Sequence, residues 1–321
     1  MTRLAGGASP RTYWRATLHD GTAAVVMALP DDPMRSDEHA AAATQAELPW
    51  LTMQRALAAR GIPVPAVLRA DVAAGYLLIE DLGDTRLFDQ VTGQVAGQVT
   101  GRVTGAAGTA RLRAYEEARA LCDQFGAATA DLEVAARFDR AHITAELAEF
   151  QAMGLEARLA MTLGPAARAM LATAFADLTD RLVAMPTRLA HRDFQSQNLM
   201  VTPRGLVVVD FQDAFMAPFV YDLVALLRDS YVRLDASELA ALLAPYSAAT
   251  REAFGVQTIQ RKLKDAGRFV TLANKGKPEY LPFFGDTIGY VVEALVTTGL
   301  YPELLALLVE LLPEARQALG P

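Results

Sequence analysis

Lysine is almost missing from this chain. It occurs only at positions 262, 264, 275 and 277, so the first 261 residues carry no side-chain ammonium group. Cysteine is scarcer still: Cys122 stands alone, which excludes a disulfide framework and a cysteine metal site. Long apolar runs are also lacking. The most apolar late stretch, Val291 to Leu312, is broken by Glu293, Pro302, Glu303 and Glu310 and does not read as a membrane span. The opening "MTRLAGGASPRTYWR" has no apolar core of the kind a signal peptide needs. Net charge is −7 with no dominant Lys/Arg cluster, which argues against nucleic acid or an anionic membrane as partner. A cytoplasmic monomer acting on a small molecule is the expectation.

What is present is a 52% apolar composition over 321 residues, enough for a large core and two lobes. Residues 9–30 predict a β-hairpin, "TYWRATL" and "AAVVMALP" around the turn "HDGT". Residues 37–60 predict a helix stopped by Gly61, and "AVLRAD" with "YLLIEDLGD" predict a second strand pair around Gly75. Residues 91–106 repeat one tetrapeptide (VTGQ, VAGQ, VTGR, VTGA), and glycine at every fourth position predicts a flexible loop rather than a helix. From Ala110 the spacing is helical, with further helices around 142–160 and 165–184 closed by Pro186. A polar stretch and one short β-insert follow, then helices from Tyr221 to the end. The predicted fold is α+β: a small antiparallel-β lobe with its connector over 1–83, and a large, mostly helical lobe over 84–321. A cleft between two such lobes is where a ligand is expected.

The polar stretch is "LAHRDFQSQNLM", residues 189–200, followed by "LVVVDFQDA", residues 206–214. Asp193 and Asn198 lie five apart, and Asp210 ends a run of three valines twelve residues after Asn198. A base that orients a hydroxyl and hard oxygen ligands for Mg²⁺ are what phosphoryl transfer from ATP requires. In that reading Asp193 is the base, and Asn198 and Asp210 hold the metal. His191 reads as a structural ring beneath the loop. Arg192 reads either as a brace or as a phosphate contact.

"HRDFQSQN" and "VVVDFQD" resemble a kinase catalytic loop and its metal-binding strand end. Only about ten residues separate Asp210 from the next helix, too few for the activation segment of a protein kinase. The chain therefore resembles the aminoglycoside phosphotransferase and choline kinase superfamily over nearly its whole length, which implies the protein-kinase-like two-lobe fold. Within it, "LAGGASPRTYWR", "GYLLIEDLGDT", "HRDFQSQNLM", "DFQDAFMAPFVYDLVALLRDSYV", "IQRKLK" and "GKPEYL" look like the bacterial anomeric kinases of N-acetylmuramate and N-acetylglucosamine in cell-wall recycling. Other small hydroxylated acceptors (an aminoglycoside, a choline-like alcohol) and a nucleotide-binding pseudokinase scaffold remain alternatives.

On the nucleotide side, Met27 stands where most kinases place a strand lysine. Ser9, Arg11 and Arg15, in and beyond "ASPRTYWR", become the candidate phosphate contacts; an arginine fork can hold phosphate oxygens two at a time. Glu80, Asp81 and Leu82 are candidates to meet the adenine edge through their backbone. On the acceptor side, Asp213 could accept from a sugar hydroxyl, and Asp222 reads as a brace of the loop. Arg228, Asp229 and Arg261 line a polar pocket if the resemblance holds, and are ordinary helix-surface charges if it does not.

Overall fold

Period-two burial builds the N-terminal lobe. The computed structural model describes residues 1–4, 11–29, 48–93 and 108–320. Strands β1 (Thr2–Arg3), β2 (Thr12–Thr17), β3 (Ala23–Ala28), β4 (Val67–Asp71) and β5 (Tyr76–Glu80) form one antiparallel sheet in the order β1-β2-β3-β5-β4. Leu77 and Ile79 point inward from β5 while Tyr76, Leu78 and Glu80 do not, the alternation a one-sided sheet requires. Gly21 (φ +85°) and Gly75 (φ +78°) take the left-handed conformation at the two hairpin turns. Met27 is wholly buried in β3, so the lysine-free position is core.

Helix α1 (Pro49–Ala58) lies under the sheet, with proline in its first turn and Trp50, Leu51, Met53 and Leu57 buried. The predicted helix over 37–60 is thus seen from Pro49, and residues 30–47 lie outside the described residues. The short helix α2 (Leu87–Thr92) runs into the start of the tetrapeptide repeat and stops at Gly93. Residues 94–106 of the repeat, like Ser9, fall outside the described residues.

The C-terminal lobe is helical: α3 (Thr109–Ala128), α4 (Arg140–Glu149), α5 (Pro165–Val183), α6 (Tyr221–Leu227), α7 (Ala236–Leu243), α8 (Ala248–Asn274), α9 (Phe283–Thr298), α10 (Pro302–Leu311) and α11 (Pro313–Leu319). Among the described residues no helix is long and apolar enough to cross a membrane. After Glu149 the α4 backbone widens into a π-helical segment, Phe150–Ala157. There α8 comes close: a Cβ on Gly267 would meet the Phe150 Cα at 2.8 Å, so glycine is what lets the two backbones cross.

One short β-insert was expected in this lobe, and the structure has two nested pairs. Strand β6 (Thr187–Ala190) pairs with β9 (Phe215–Pro218), and between them β7 (Leu199–Thr202) pairs with β8 (Gly205–Val208). Alternation over four residues is too short to read from sequence, which is why β6 and β9 were missed. The nesting sets loop 191–198 beside segment 209–214. Asp193 and Asp210 are each followed by a wholly buried phenylalanine, Phe194 and Phe211. Burying such a ring is worth roughly 1.5–3 kcal/mol, so each acid is tethered to the core. That core is shared: Val25, Trp50 and Leu77 of the N-terminal lobe belong to the same cluster as Phe125, Phe194 and Phe211.

Candidate active site

Two buried carboxylates hold loop 191–198 at its ends. Asp222, in the first turn of α6, accepts from the backbone N–H of His191 (2.7 Å) and of Arg192 (3.1 Å). Asp229 accepts from Ser196 N (3.0 Å), Ser196 Oγ (2.5 Å) and Tyr231 N (2.9 Å). Burial pushes both carboxyls up from their ordinary values, and the donors around each only partly offset this. His191 is buried with its ring edge-on to Phe125 and Phe194. Its Nε2 lies 2.8 Å from the Val209 carbonyl oxygen, so that nitrogen carries the proton. The histidine is a strut, as its apolar neighbours suggested.

The geometry at Asp193 follows. Its carbonyl oxygen accepts from Gln195 N and from Asn198 Nδ2, both at 2.8 Å, which fixes the tight turn. Its carboxylate is nearly half exposed to the cleft, and Oδ1 accepts from Arg261 Nη2 at 3.2 Å. Desolvation pushes the carboxyl up, but Arg261, Lys264, Arg192 and His191 outweigh it and hold the group below the ordinary aspartate value. Asp193 is therefore ionised at neutral pH, as a proton acceptor must be.

Asn198 and Asp210 are tied through the chain: Val209 N donates to the Asn198 carbonyl oxygen at 3.1 Å. Arg192 (φ +81°) and Asp210 (φ +64°) are among the few non-glycine residues with positive φ. That conformation is costly for such residues and is kept where the surroundings impose it. At Asp210 it turns the carboxylate outward, to an exposed position. Gln212 Nε2 reaches both Asp210 Oδ1 (2.9 Å) and Asp213 Oδ2 (3.1 Å).

Asn198 spends its amide nitrogen on Asp193, leaving the amide oxygen available, and Asp210 offers an exposed carboxylate. These are hard oxygen donors suited to Mg²⁺, which takes one or two carboxylates and completes its shell with phosphate and water. Among the described residues no cluster of three or more His, Cys, Asp or Glu could hold a metal, so the set fits an ion that arrives with a ligand better than a fully caged one.

A cavity of about 280 Å³ opens between the lobes, lined by Tyr13 and Val25 of the sheet, Trp50 of α1, the connector Glu80–Gly83, and Val209–Gln212. Trp50 stacks at a tilt on Phe211 with ring centres 5.2 Å apart. Leu82 lines the cavity. The Glu80 carboxylate is used elsewhere, accepting from Ala66 N (3.0 Å) and Arg204 Nη2 (2.8 Å). Asp81 accepts from Gly83 N and, with Asp84, grips Arg15 through four contacts of 2.6–2.9 Å. Arg15, expected as a phosphate contact, thus ties β2 to the connector. Arg11 is buried at the start of β2.

Of the expected acceptor contacts, Asp213 is linked to Asp210 through Gln212. Arg228 and Asp229 do not join it. Arg228 is buried over the Tyr290 ring (4.9 Å) and donates to Glu293 Oε2 at 2.7 Å, and Asp229 is consumed by the loop. Helical spacing at 228 and 229 shows only that they project from a helix end, not toward which neighbour. Arg261 does reach the site, wholly buried with its guanidinium over Tyr221 (4.8 Å). Burial disfavours its charge, but Tyr221, Asp265, Asp193 and Asp222 more than restore it.

Sequence reasoning missed two further groups. Glu146 of α4 accepts from Gln260 Nε2 (2.7 Å) and pairs with His142 Nε2 (3.3 Å), and Lys264 follows one turn after Arg261. The signal for Lys264 was its rarity in an arginine-rich chain.

Residues 1–255 match the model of the Phosphotransferase enzyme family. The N-acetylmuramate/N-acetylglucosamine kinase of Neisseria meningitidis is 29% identical, over 100% of this chain and 93% of the relative. The kinase of the same name from Pseudomonas putida is 26% identical over 84% of this chain and 79% of its own. Among solved structures, the choline kinase LicA from Streptococcus pneumoniae superposes with a TM-score of 0.56 at 14% identity, covering 92% of each chain.

Proposed function

This chain belongs to the phosphotransferase enzyme family, and we propose that it transfers the γ-phosphoryl group of ATP to the anomeric C1 hydroxyl of N-acetylmuramate and N-acetylglucosamine. The names of its relatives support a sugar as acceptor. The observation that carries the reading is the Asp193 carboxylate, nearly half exposed, held ionised and paired with Arg261, on a turn that Asn198 fixes through the Asp193 carbonyl oxygen.

In this account ATP enters the cavity between sheet and connector, its adenine against Tyr13, Val25 and the backbone of Glu80–Leu82. Asn198 and Asp210 would hold Mg²⁺, whose charge would offset that on the phosphate oxygens. Asp193 orients the C1 hydroxyl and takes its proton as the new O–P bond forms. The bond between the γ-phosphorus and its bridging oxygen breaks, and ADP leaves with that electron pair. The anomeric hydroxyl is the most acidic of the sugar, because the ring oxygen withdraws electrons from C1, so an ordinary carboxylate suffices as base. Residues 1–83 serve as the nucleotide lobe and 84–321 as the catalytic and acceptor lobe. The enzyme works as a monomer in the cytoplasm, on sugars released during cell-wall recycling.

The test is ADP release by the purified enzyme with a panel of N-acetylmuramate, N-acetylglucosamine, an aminoglycoside and choline. Release with the two amino sugars alone is the expected result. Release only with the aminoglycoside or choline contradicts the acceptor, and release with none contradicts the enzyme.

A further inference from the structure

Lys264 takes no part in the transfer just described, yet it stands beside it. Helix α8 carries Arg261, Lys262, Lys264 and Asp265 within five residues, and its 3.6-residue period sets 261, 264 and 265 on one side. The neighbouring cations are committed. Arg261 donates to Asp193 and lies over Tyr221. Lys262 is wholly buried and donates to Asp265 Oδ2 (2.7 Å) and Ser230 Oγ (3.0 Å). Arg228 is held by Glu293.

Lys264 differs from all of these. Its side chain is 18% exposed, and its ion pair is a 3.4 Å contact to Asp265 Oδ1, longer than a strong charge-assisted bond. The other Asp265 oxygen already serves Lys262. The Lys264 charge bears on Asp193, Glu146 and Tyr221. Lys264 follows Arg261 by one turn on the same side of α8, and Arg261 Nη2 lies 3.2 Å from Asp193 Oδ1, so the ammonium flanks the space an acceptor must fill if its hydroxyl is to meet Asp193.

We propose that Lys264 determines acceptor specificity by receiving the carboxylate of an acidic sugar while Asp193 holds the hydroxyl. The proposal rests on the sugar-kinase reading above and adds the residue that separates an acidic sugar from its neutral counterpart. A carboxylate entering this space meets the half-exposed Asp193 and nears Asp265, 3.4 Å from the Lys264 ammonium, and like charges at close quarters are strongly unfavourable unless a cation intervenes. An ammonium on a flexible stem suits the task, since it can turn from a loose partner to a new one, whereas a guanidinium fork is matched to fixed planar pairs. N-acetylglucosamine lacks the carboxylate and makes no such demand.

The experiment measures kcat/KM of the full-length enzyme for N-acetylmuramate and for N-acetylglucosamine in wild type, Lys264→Met, Lys264→Gln and Lys264→Arg. The ratio of the two values within one preparation does not depend on how much of that preparation is folded. In Lys264→Met and Lys264→Gln the ratio of acidic to neutral sugar falls at least tenfold, chiefly through KM for the acidic sugar, and Lys264→Arg recovers most of it. A ratio within twofold of wild type in both neutral variants overturns the role of Lys264 and leaves the sugar-kinase reading standing. Wild-type enzyme that turns over neither sugar overturns that reading and this proposal together.

Discussion

Asp193 and Asp210 are both aspartates followed by a wholly buried phenylalanine, and their surroundings differ. Asp193 is hemmed by Arg261 and the backbone of its own loop, whereas Asp210 is exposed and touches Gln212. Asp193→Asn keeps the shape of the side chain and removes the proton acceptor. It is expected to lower kcat by about 10²–10⁴-fold while nucleotide affinity, read by calorimetry, changes little; a variant with near wild-type kcat removes Asp193 from the role of base. Asp210→Ala is expected to lose activity that raised Mg²⁺ does not restore, while Asn198→Ala is partly rescued, since a neutral amide contributes less to holding the ion than a carboxylate. Equal Mg·ATP affinity in Asp210→Ala and wild type places the metal elsewhere. Arg15 shows how a residue can be chosen for the right reason and do something else. Its fork is filled by Asp81 and Asp84, so Arg15→Met is expected to loosen the connector and raise KM for ATP severalfold with kcat little changed. A large fall in kcat at unchanged KM points instead to a phosphate contact in the transition state.

At the scale of elements, α8 is the part on which the proposed acceptor side depends, because one helix carries the cation at Asp193, the loosely paired Lys264 and the buried Lys262–Asp265 pair. Burial pushes the Asp265 carboxyl up, but Lys262, Lys264 and Arg261 outweigh it and hold the group well below the ordinary value. A carboxyl lowered in the folded state stabilises the fold above its unfolded value, and that stabilisation is lost as pH falls through the folded value. Asp265→Asn leaves Lys262 buried without its counter-charge, and breaking such a pair costs about 3–5 kcal/mol. Thermal melts at neutral pH are expected to show the variant well below wild type, and the gap is expected to narrow below about pH 4. A gap that is constant with pH means the pair does not carry the stability. Strands β2 to β5 were legible because each runs five or six residues beside a glycine turn, and α1, α3 and α5 because each shows a helical period over ten or more residues; the two-residue β1 was not. The nested strands β6 and β9 were not, at four residues each. Asp193, Asn198 and Asp210 were legible because the loop brings its chemistry within a short stretch of chain. The partners of Arg228 and Asp229, Glu293 on α9 and Ser196 in the loop, lie tens of residues away in the chain, and spacing along one helix says nothing about them.

At the scale of the molecule, the two lobes share one core across the cavity, from Val25 and Trp50 to Phe194 and Phe211, so the proposed nucleotide pocket and the proposed base are parts of one packed unit. The family match and the names of the relatives agree on a phosphotransferase acting on a sugar; which oxygen receives the group is the central claim. Phosphorus NMR of the product formed from N-acetylglucosamine and ATP tests it most directly, run beside the 1-O-methyl glycoside, which lacks both the nucleophile and its proton at C1. A sugar 1-phosphate signal, with no product from the methyl glycoside, is the predicted result. A 6-phosphate, or turnover of the methyl glycoside, contradicts it.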